Sequence, residues 1–257
     1  MKRCVSGIDR TGEYSNGGGE TLTRKHPPPR DAHSSSPASR TPHSRLYLIT
    51  PALADAASFV STLAAALDAA DVAAVLLRLE DADERSLIDR AKTIAACVQR
   101  RDVALLIDGH PGIVTRAGAD GAHLPGVAAL TGAIGALKPD RIAGVGGLHS
   151  RHDAMLAGEA GADYVMFGEP DRRGRRPPLP ALQERLEWWA QLFEPPCIGY
   201  AASLDEVAPL AQAGADFVAL GDWIWTHAQG PAFAIAAAAH RLAAAASGPP
   251  PAVPAPE

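Results

Sequence analysis

The feature that most constrains the fold is a short phrase, Ala-Gly-Ala-Asp, that occurs three times. The copies are centred on Gly118, Gly161 and Gly214, and each ends an alanine-rich helical pattern and precedes a short apolar run. Because glycine adopts the left-handed conformation without a Cβ penalty, each copy predicts a helix end followed at once by a buried strand. The copies are 43 and 53 residues apart, so each interval has room for two strand–helix units. The spacing therefore predicts a parallel β/α repeat.

Apolar runs and helical patterns alternate along the whole central part of the chain. The predicted strands cover residues 46–50, 72–78, 103–107, 121–124, 142–146, 163–167, 197–201 and 216–220. The predicted helices cover residues 55–69, 82–100, 112–117, 127–137, 150–160, 179–193, 204–213 and 231–246. Eight strands, each followed by a helix, predict a single (β/α)8 TIM barrel over residues 45–247. A doubly wound open sheet is the alternative, disfavoured because no strand–Gly-x-Gly-x-x-Gly–helix unit occurs.

The two ends of the chain have a different composition from the centre. Residues 1–44 carry runs of glycine, proline and serine with scattered arginines. Such a segment buries too little apolar surface to offset its ordering entropy, so we expect a disordered N-terminal extension. An inert extension is favoured over a regulatory arm. The proline-rich C-terminal tail, residues 248–257, is expected to be disordered for the same reason.

Composition limits the class of protein and its compartment. The net charge of −5 disfavours a nucleic-acid-binding surface, which needs a basic excess. The three cysteines are odd in number and widely spaced, which fits neither a disulfide framework nor a zinc site. No apolar run reaches the roughly eighteen residues of a membrane helix, and the start lacks the apolar segment of a signal peptide. We therefore expect a soluble cytoplasmic protein without nucleic-acid or membrane partners, and leave homo-oligomerisation open.

The polar residues that follow the predicted strands define the candidate site, because a TIM barrel carries its site at the C-terminal ends of its strands. They are Arg78, Glu80, Asp108, His110, His123, His149, His152, Glu169, Asp171 and Asp222. The loop after the sixth strand adds four arginines, which form either a phosphate clamp or a solvated charge run. Those arginines are Arg172, Arg173, Arg175 and Arg176.

Several of these segments resemble the thiamine phosphate synthase/TenI family, over roughly residues 46–245. Residues 46–50 resemble the family's opening strand, and residues 118–124 resemble its fourth-strand motif. The second and third copies of the repeated phrase match its sixth and eighth strands. The resemblance implies a TIM barrel that joins hydroxymethylpyrimidine diphosphate to a thiazole phosphate in thiamine biosynthesis, with Mg²⁺ steadying the diphosphate as it leaves.

The strand-end positions and the resemblance together give a set of residues that we expect to contact a small phosphorylated heterocyclic ligand. That set is Arg78, Asp108, His123, His149, Gly168 and Asp222. Asp108 is the one candidate ligand for Mg²⁺, and no catalytic residue is assigned. Arg78 has an alternative role as the partner of Glu80 or Asp108 in a salt bridge.

The chain departs from the family at both phosphate-binding regions. The lysine after strand two is replaced by Glu80, and the family's Asn-Asp after strand three becomes Asp108-Gly109. The Gly-Gly of the strand-seven loop becomes Tyr200-Ala201, and the Val-Ser after strand eight becomes Gly221-Asp222. The threonine- and lysine-bearing loop after strand six becomes residues 169–176. A carboxylate beside a phosphate repels it and leaves hydrogen bonds unmade, so the phosphate and metal sites are predicted to be degenerate.

Three functional hypotheses follow from these residues. The first is a thiamine phosphate synthase-type transferase with an altered substrate site. The second is a non-synthase TenI-like or regulatory paralogue that binds a thiazole-type or phosphorylated ligand. The weakest is a metal-dependent hydrolase or lyase, since carboxylate and imidazole side chains suit a divalent ion. Its metal ligands would be Asp108, His110, His123 and His149.

Overall fold

The computed structural model describes residues 44–247, which form one closed barrel of eight parallel strands. The strands pair in chain order, and the last pairs with the first to close the barrel. The strands are β1 (Arg45–Ile49), β2 (Val72–Leu77), β3 (Ala104–Asp108), β4 (Gly121–Pro125), β5 (Ile142–Gly146), β6 (Tyr164–Phe167), β7 (Cys197–Ala201) and β8 (Phe217–Leu220). The predicted (β/α)8 fold is confirmed.

A helix follows each strand and packs on the outside of the barrel. The helices are α1 (Ala56–Leu67), α2 (Glu84–Val98), α3 (Val114–Ala117), α4 (Val127–Leu137), α5 (Arg151–Glu159), α6 (Leu179–Leu192), α7 (Leu204–Gln212) and α8 (Pro231–Ala246). Local sequence sets their starts: Asp55 accepts the backbone N–H of Ala57 at α1, and Ser150 and Asp153 form a capping box at α5. Short 3₁₀ segments cover Gln99–Arg101, Pro111–Ile113 and Asp222–Ile224.

Alternation along the strands divides the apolar residues into two layers. In β6, Tyr164 and Met166 lie in the barrel interior, whereas Val165 and Phe167 belong to the larger core between sheet and helices. Phe167 packs edge-to-face on the fully buried Trp189 of α6. The barrel interior is therefore filled with side chains.

The three repeated phrases have the predicted conformation and a second role that the sequence did not indicate. Their glycines have φ angles of +70°, +89° and +93°, as a left-handed helix end requires. The aspartate of each copy accepts a backbone N–H from the preceding strand. These bonds are Leu105 N to Asp120, 2.7 Å, Ala143 N to Asp163, 2.7 Å, and Cys197 N to Asp216, 2.9 Å. Each phrase thus ends a helix and also joins two neighbouring strands at the N-terminal end of the barrel.

The predicted boundaries differ from the observed ones by a few residues. The third strand extends to Asp108, and the third helix begins as a 3₁₀ turn at Pro111. Apart from Ser44, the predicted N-terminal extension and C-terminal tail lie outside the described residues. Within residues 44–247, no helix has both the length and the apolar character needed to cross a membrane.

Candidate functional site

A cavity of about 820 Å³ lies at the C-terminal end of the barrel, where the fold places its binding site. β3, β4 and the loops after β5 and β6 build its walls. The residues that line it are Asp108, His123, Pro125, Gly147, His149, Glu169, Pro170, Asp171, Arg172, Arg173 and Arg175. A neighbouring cavity of about 380 Å³ is lined by Arg78, Asp108 and Asp222, among others. Asp108 borders both cavities.

His123 is the most deeply buried polar group at the cavity, with only 3% of its surface exposed. Its Nδ1 lies 2.9 Å from the hydroxyl of Tyr164, which lies 3.0 Å from the hydroxyl of Tyr47. Its Nε2 lies 3.1 Å from Oε1 of Glu169. Because an ionised carboxylate only accepts hydrogen bonds, Nε2 carries the proton. β4, β6 and β1 thus hold a continuous chain of polar groups.

Glu169, immediately after β6, is held by two donors. Its second oxygen, Oε2, accepts the backbone N–H of Gly147 at 3.1 Å. Burial raises the pKa of Glu169, but the His123 charge, their hydrogen bond and the Gly147 N–H outweigh it and hold the pKa below its usual range. For His123 the directions are reversed: burial lowers its pKa, but Glu169 and Asp108 raise the pKa above its usual value. The two side chains therefore form an ion pair at the cavity.

The resemblance picked out His123 but not Glu169 as a ligand-contacting residue. The available signal was the position of Glu169 at a strand end, which it shared with nine other polar residues. Its pairing with a histidine 46 residues away follows only from the closure of the barrel.

Asp108 ends β3 opposite His123 and is half-buried between the two cavities. Burial raises the pKa of its carboxyl, and Glu169 adds to the increase while His123 and Arg78 oppose it. A cation or hydrogen-bond donor placed in the cavity would stabilise the ionised form. The structure thus places Asp108 where the sequence predicted it, with free space on its polar side.

Arg78, after β2, is fixed by three contacts. Its backbone N–H donates to Thr50 Oγ1 at 3.0 Å, and its Nε donates to the Thr50 carbonyl at 2.7 Å. Its guanidinium pairs with Asp222, which follows β8. The predicted partners Glu80 and Asp108 were therefore wrong, because barrel closure brings β8 next to β1 and hence close to β2.

His149 and Gly168 were both predicted as ligand contacts, and they differ in what they contribute. His149 is exposed on the cavity wall, and its backbone N–H donates to Asp153 of α5. Gly168 has φ +90°, and a Cβ there would lie 2.5 Å from Cδ2 of Leu182. Its carbonyl also accepts Nε of Arg176 at 3.2 Å. Gly168 thus has a clear role in packing β6 against α6, while it also borders a smaller, 240 Å³ pocket.

The arginine-rich loop after β6 is a compact turn organised by Asp171. The backbone N–H groups of Arg173 and Arg175 donate to Asp171 Oδ1 at 2.8 and 2.9 Å, and Arg175 Nε donates to Oδ2 at 2.9 Å. Arg172 and Arg173 are exposed at the cavity rim, and neither forms an ion pair within residues 44–247. The four arginines therefore divide into two structural ones, Arg175 and Arg176, and two whose charge faces solvent.

The metal-centre hypothesis has a weak structural basis. In the part of the chain that the structure describes, no three His, Cys, Asp or Glu side chains converge on a point that could hold a metal ion. The predicted cluster of Asp108 with three histidines does not form there, because the two ring nitrogens of His123 face Tyr164 and Glu169. Mg²⁺ needs only one or two carboxylates when phosphate oxygens and water complete its shell, and Asp108 fits that smaller role.

Comparison with known proteins agrees with this architecture. The sequence profile of the family described as "Thiamine monophosphate synthase" matches residues 46–224. A thiamine-phosphate synthase of Rhodospirillum centenum is 44% identical over 195 residues, which are 75% of this chain and 94% of the relative. One of Hyphomonas neptunium is 38% identical over 206 residues, which are 76% of this chain and 92% of the relative.

A solved structure, the thiamine phosphate pyrophosphorylase of Pyrococcus furiosus, shares the fold. It superposes with a TM-score of 0.64 at 19% identity and covers 80% of this chain and 98% of the other. The profile match spans more than half of the chain, and both bacterial relatives align over most of their length. The chain belongs to the thiamine phosphate synthase/TenI family.

Proposed function

We propose that this chain is a synthase-type transferase of the cytoplasm that joins hydroxymethylpyrimidine diphosphate to a thiazole in thiamine biosynthesis. The observation that carries the proposal is the 820 Å³ cavity at the C-terminal end of a barrel of this family. Its floor carries Asp108, His123 and Glu169, and its rim carries Arg172 and Arg173. A ligand with an anionic tail and an electron-poor ring matches that distribution of charge.

The rim arginines provide the anion contacts that the second-strand segment has lost. The exposed Glu80 stands where the family has a lysine, and Arg78 is paired with Asp222. Arg172 and Arg173 lie on a turn that Asp171 holds in place, so they present two cations to a diphosphate with little loss of backbone entropy. One guanidinium group can bind two phosphate oxygens at once, and so it also orients the leaving diphosphate.

The proposed reaction breaks the carbon–oxygen bond to diphosphate, which leaves with the electron pair. The thiazole nitrogen then supplies its lone pair to the same carbon, so no proton has to move. Positive charge develops on the pyrimidine methylene, and the ionised carboxylate of Glu169 in the cavity stabilises it. When bound, Mg²⁺ supplies neutralisation of the leaving diphosphate, and Asp108 is the residue that would hold it.

The test is a coupling assay with the full 257-residue chain, both precursors and Mg²⁺, with an authentic synthase as positive control. We expect thiamine phosphate or its unphosphorylated counterpart to form, and the rate to fall at least tenfold in the double variant Arg172→Ala/Arg173→Ala. The matched control is Arg151→Ala, which removes an exposed arginine on α5. Absence of product from folded protein would contradict the proposal.

A second candidate, a non-catalytic relative that binds a phosphorylated heterocycle, is favoured by the pairing of Arg78 with Asp222. The ion pair neutralises Arg78, the residue that the resemblance assigns to binding of the substrate. Thermal unfolding and the coupling assay together separate the two candidates. A rise in Tm with hydroxymethylpyrimidine diphosphate, without turnover in the coupling assay, supports the binding protein.

A further inference from the structure

The end of the site between β7 and β8 differs from the rest of the cavity because the chain's own side chains fill it. In TIM barrels the loops after the seventh and eighth strands and a nearby helix start commonly hold a phosphate. Here the backbone N–H of Ala202, in the loop after β7, donates to Oε2 of Glu206 at 2.8 Å. Glu206 lies in the first turn of α7, so its carboxylate takes a position that suits an anion.

Arg176 secures this carboxylate and is itself fully engaged. Its NH1 lies 2.8 Å from both oxygens of Glu206. Its NH2 donates to the Tyr200 carbonyl at 3.0 Å, and its Nε donates to the Gly168 carbonyl. The side chains of Arg176 and Glu206 are only 19% and 18% exposed, so solvent screens the pair weakly. The arginine nearest to the β7 loop is therefore neutralised.

Tyr200 fills the remaining space at this end, and Asp222 neutralises the guanidinium of Arg78. The Tyr200 ring packs against the barrel-interior cluster, and its hydroxyl lies so close to Gly221 that a Cβ there would be 2.1 Å away. Burial and the charge of Asp222 raise the pKa of the Tyr200 hydroxyl, so it stays protonated and neutral. This end of the barrel thus carries two carboxylates, Glu206 and Asp222, each paired with an arginine, and the phenol of Tyr200.

We propose that this filled end of the site leaves no place for a phosphate, so that the acceptor is the thiazole alcohol and not the thiazole phosphate. The inference rests on the proposed coupling reaction and names the acceptor for it. A phosphate monoester carries close to two negative charges and needs several donors. Next to Glu206 it finds both the Ala202 N–H and the Arg176 guanidinium already used by that carboxylate. An alcohol is uncharged, so it needs neither a cation nor several donors at this end of the site.

The first test measures binding of two probes to the full chain by isothermal titration calorimetry, with hydroxymethylpyrimidine and Mg²⁺-diphosphate present to fill the rest of the site. The probes are the hydroxyethyl thiazole and its phosphate ester. We expect the alcohol to bind at least tenfold more tightly than the phosphate. Equal affinity, tighter binding of the phosphate, or no binding of either probe would overturn the inference.

The second test changes Glu206→Gln, which keeps an oxygen for the Ala202 N–H and frees the charge of Arg176. We expect the affinity for the thiazole phosphate to rise at least tenfold while that for the alcohol changes less than threefold. The matched control is Asp205→Asn, in the same helical turn, whose side chain is 88% exposed. A phosphate affinity that rises equally in both variants, or in neither, would overturn the inference. If Glu206→Gln does not fold, the calorimetric comparison of the two probes on the wild-type chain decides.

The coupling assay separates this inference from the proposed function. Product from the thiazole phosphate at the greater rate would leave the synthase activity standing and overturn the choice of acceptor. Selective binding of the alcohol without any coupled product would remove the synthase activity and leave the ligand class intact. Faster coupling of the alcohol supports both.

Discussion

At the scale of single residues, the ion pair between His123 and Glu169 is the feature that gives the cavity its chemistry. His123 has polar partners on both ring nitrogens, so its orientation is fixed by Tyr164 on one side and Glu169 on the other. Burial disfavours a charge on either side chain, and each makes the other's charge tolerable. Neither group would be ionised to the same extent if its partner were absent.

The variant Glu169→Gln should therefore lower the pKa of His123. Without the carboxylate, burial becomes the dominant influence and favours the neutral imidazole. An NMR titration of the imidazole resonances measures this pKa directly. Glu184→Gln, which changes an exposed glutamate on α6, is the control and should leave the His123 pKa unchanged. An unaltered pKa in Glu169→Gln would show that the pair is not coupled.

At the scale of secondary-structure elements, the junction between β6 and α6 depends on close packing. Gly168 follows the strand with a positive φ, and Leu182 of α6 occupies the space that a Cβ there would need. The same junction positions both Glu169 and the arginine-rich turn. A shift of α6 away from the barrel would therefore displace the two features that define the cavity.

We expect Gly168→Ala to lower the free energy of unfolding by about 2–4 kcal/mol, from overpacking combined with the positive φ. Gly174→Ala is the matched control, because Gly174 has φ +74° but no atom lies within 4 Å of the position that a Cβ would take there. That variant should cost only about 1 kcal/mol. Urea unfolding followed by circular dichroism measures both values. Equal losses in the two variants would mean that Leu182 moves aside without cost.

At the scale of the whole molecule, the ion pair links stability to pH. The pKa of Glu169 is lowered by folding, so its contribution is present above its unfolded pKa of about 4.3 and is lost as the pH falls. The pKa of His123 is raised by folding, so its contribution is present below its unfolded pKa of about 6.5 and is lost as the pH rises through the folded value. The pair contributes most between these two limits.

Glu169→Gln should accordingly cost about 1 kcal/mol of unfolding free energy at pH 5.5 and less at pH 9, because the charge of His123 is lost as the pH rises through its folded pKa. Urea unfolding of the full chain at the two pH values measures the difference. The Glu184→Gln control should show no such dependence on pH. A larger cost at pH 9 than at pH 5.5 would contradict the charge assignment of the pair.

The sequence by itself determined the architecture of the described residues. The Ala-Gly-Ala-Asp phrase, the apolar strand runs and the helical periodicity are local signals, and each acts over a few neighbouring residues. They placed all eight strands and eight helices within a few residues of their observed ends. They also placed Arg78, Asp108, His123, His149 and Asp222 at the correct end of the barrel, because strand direction fixes that end.

Only the tertiary structure decided which of these side chains are partners. Arg78 and Asp222 are 144 residues apart in sequence, His123 and Glu169 are 46 apart, and Arg176 and Glu206 are 30 apart. Such pairs form when barrel closure brings distant strand ends together, and several charged groups then compete for each partner. The outcome depends on distances of a few ångströms and on burial, and no local pattern encodes either. For this reason the fold could be predicted, while the closed end of the site between β7 and β8 could not.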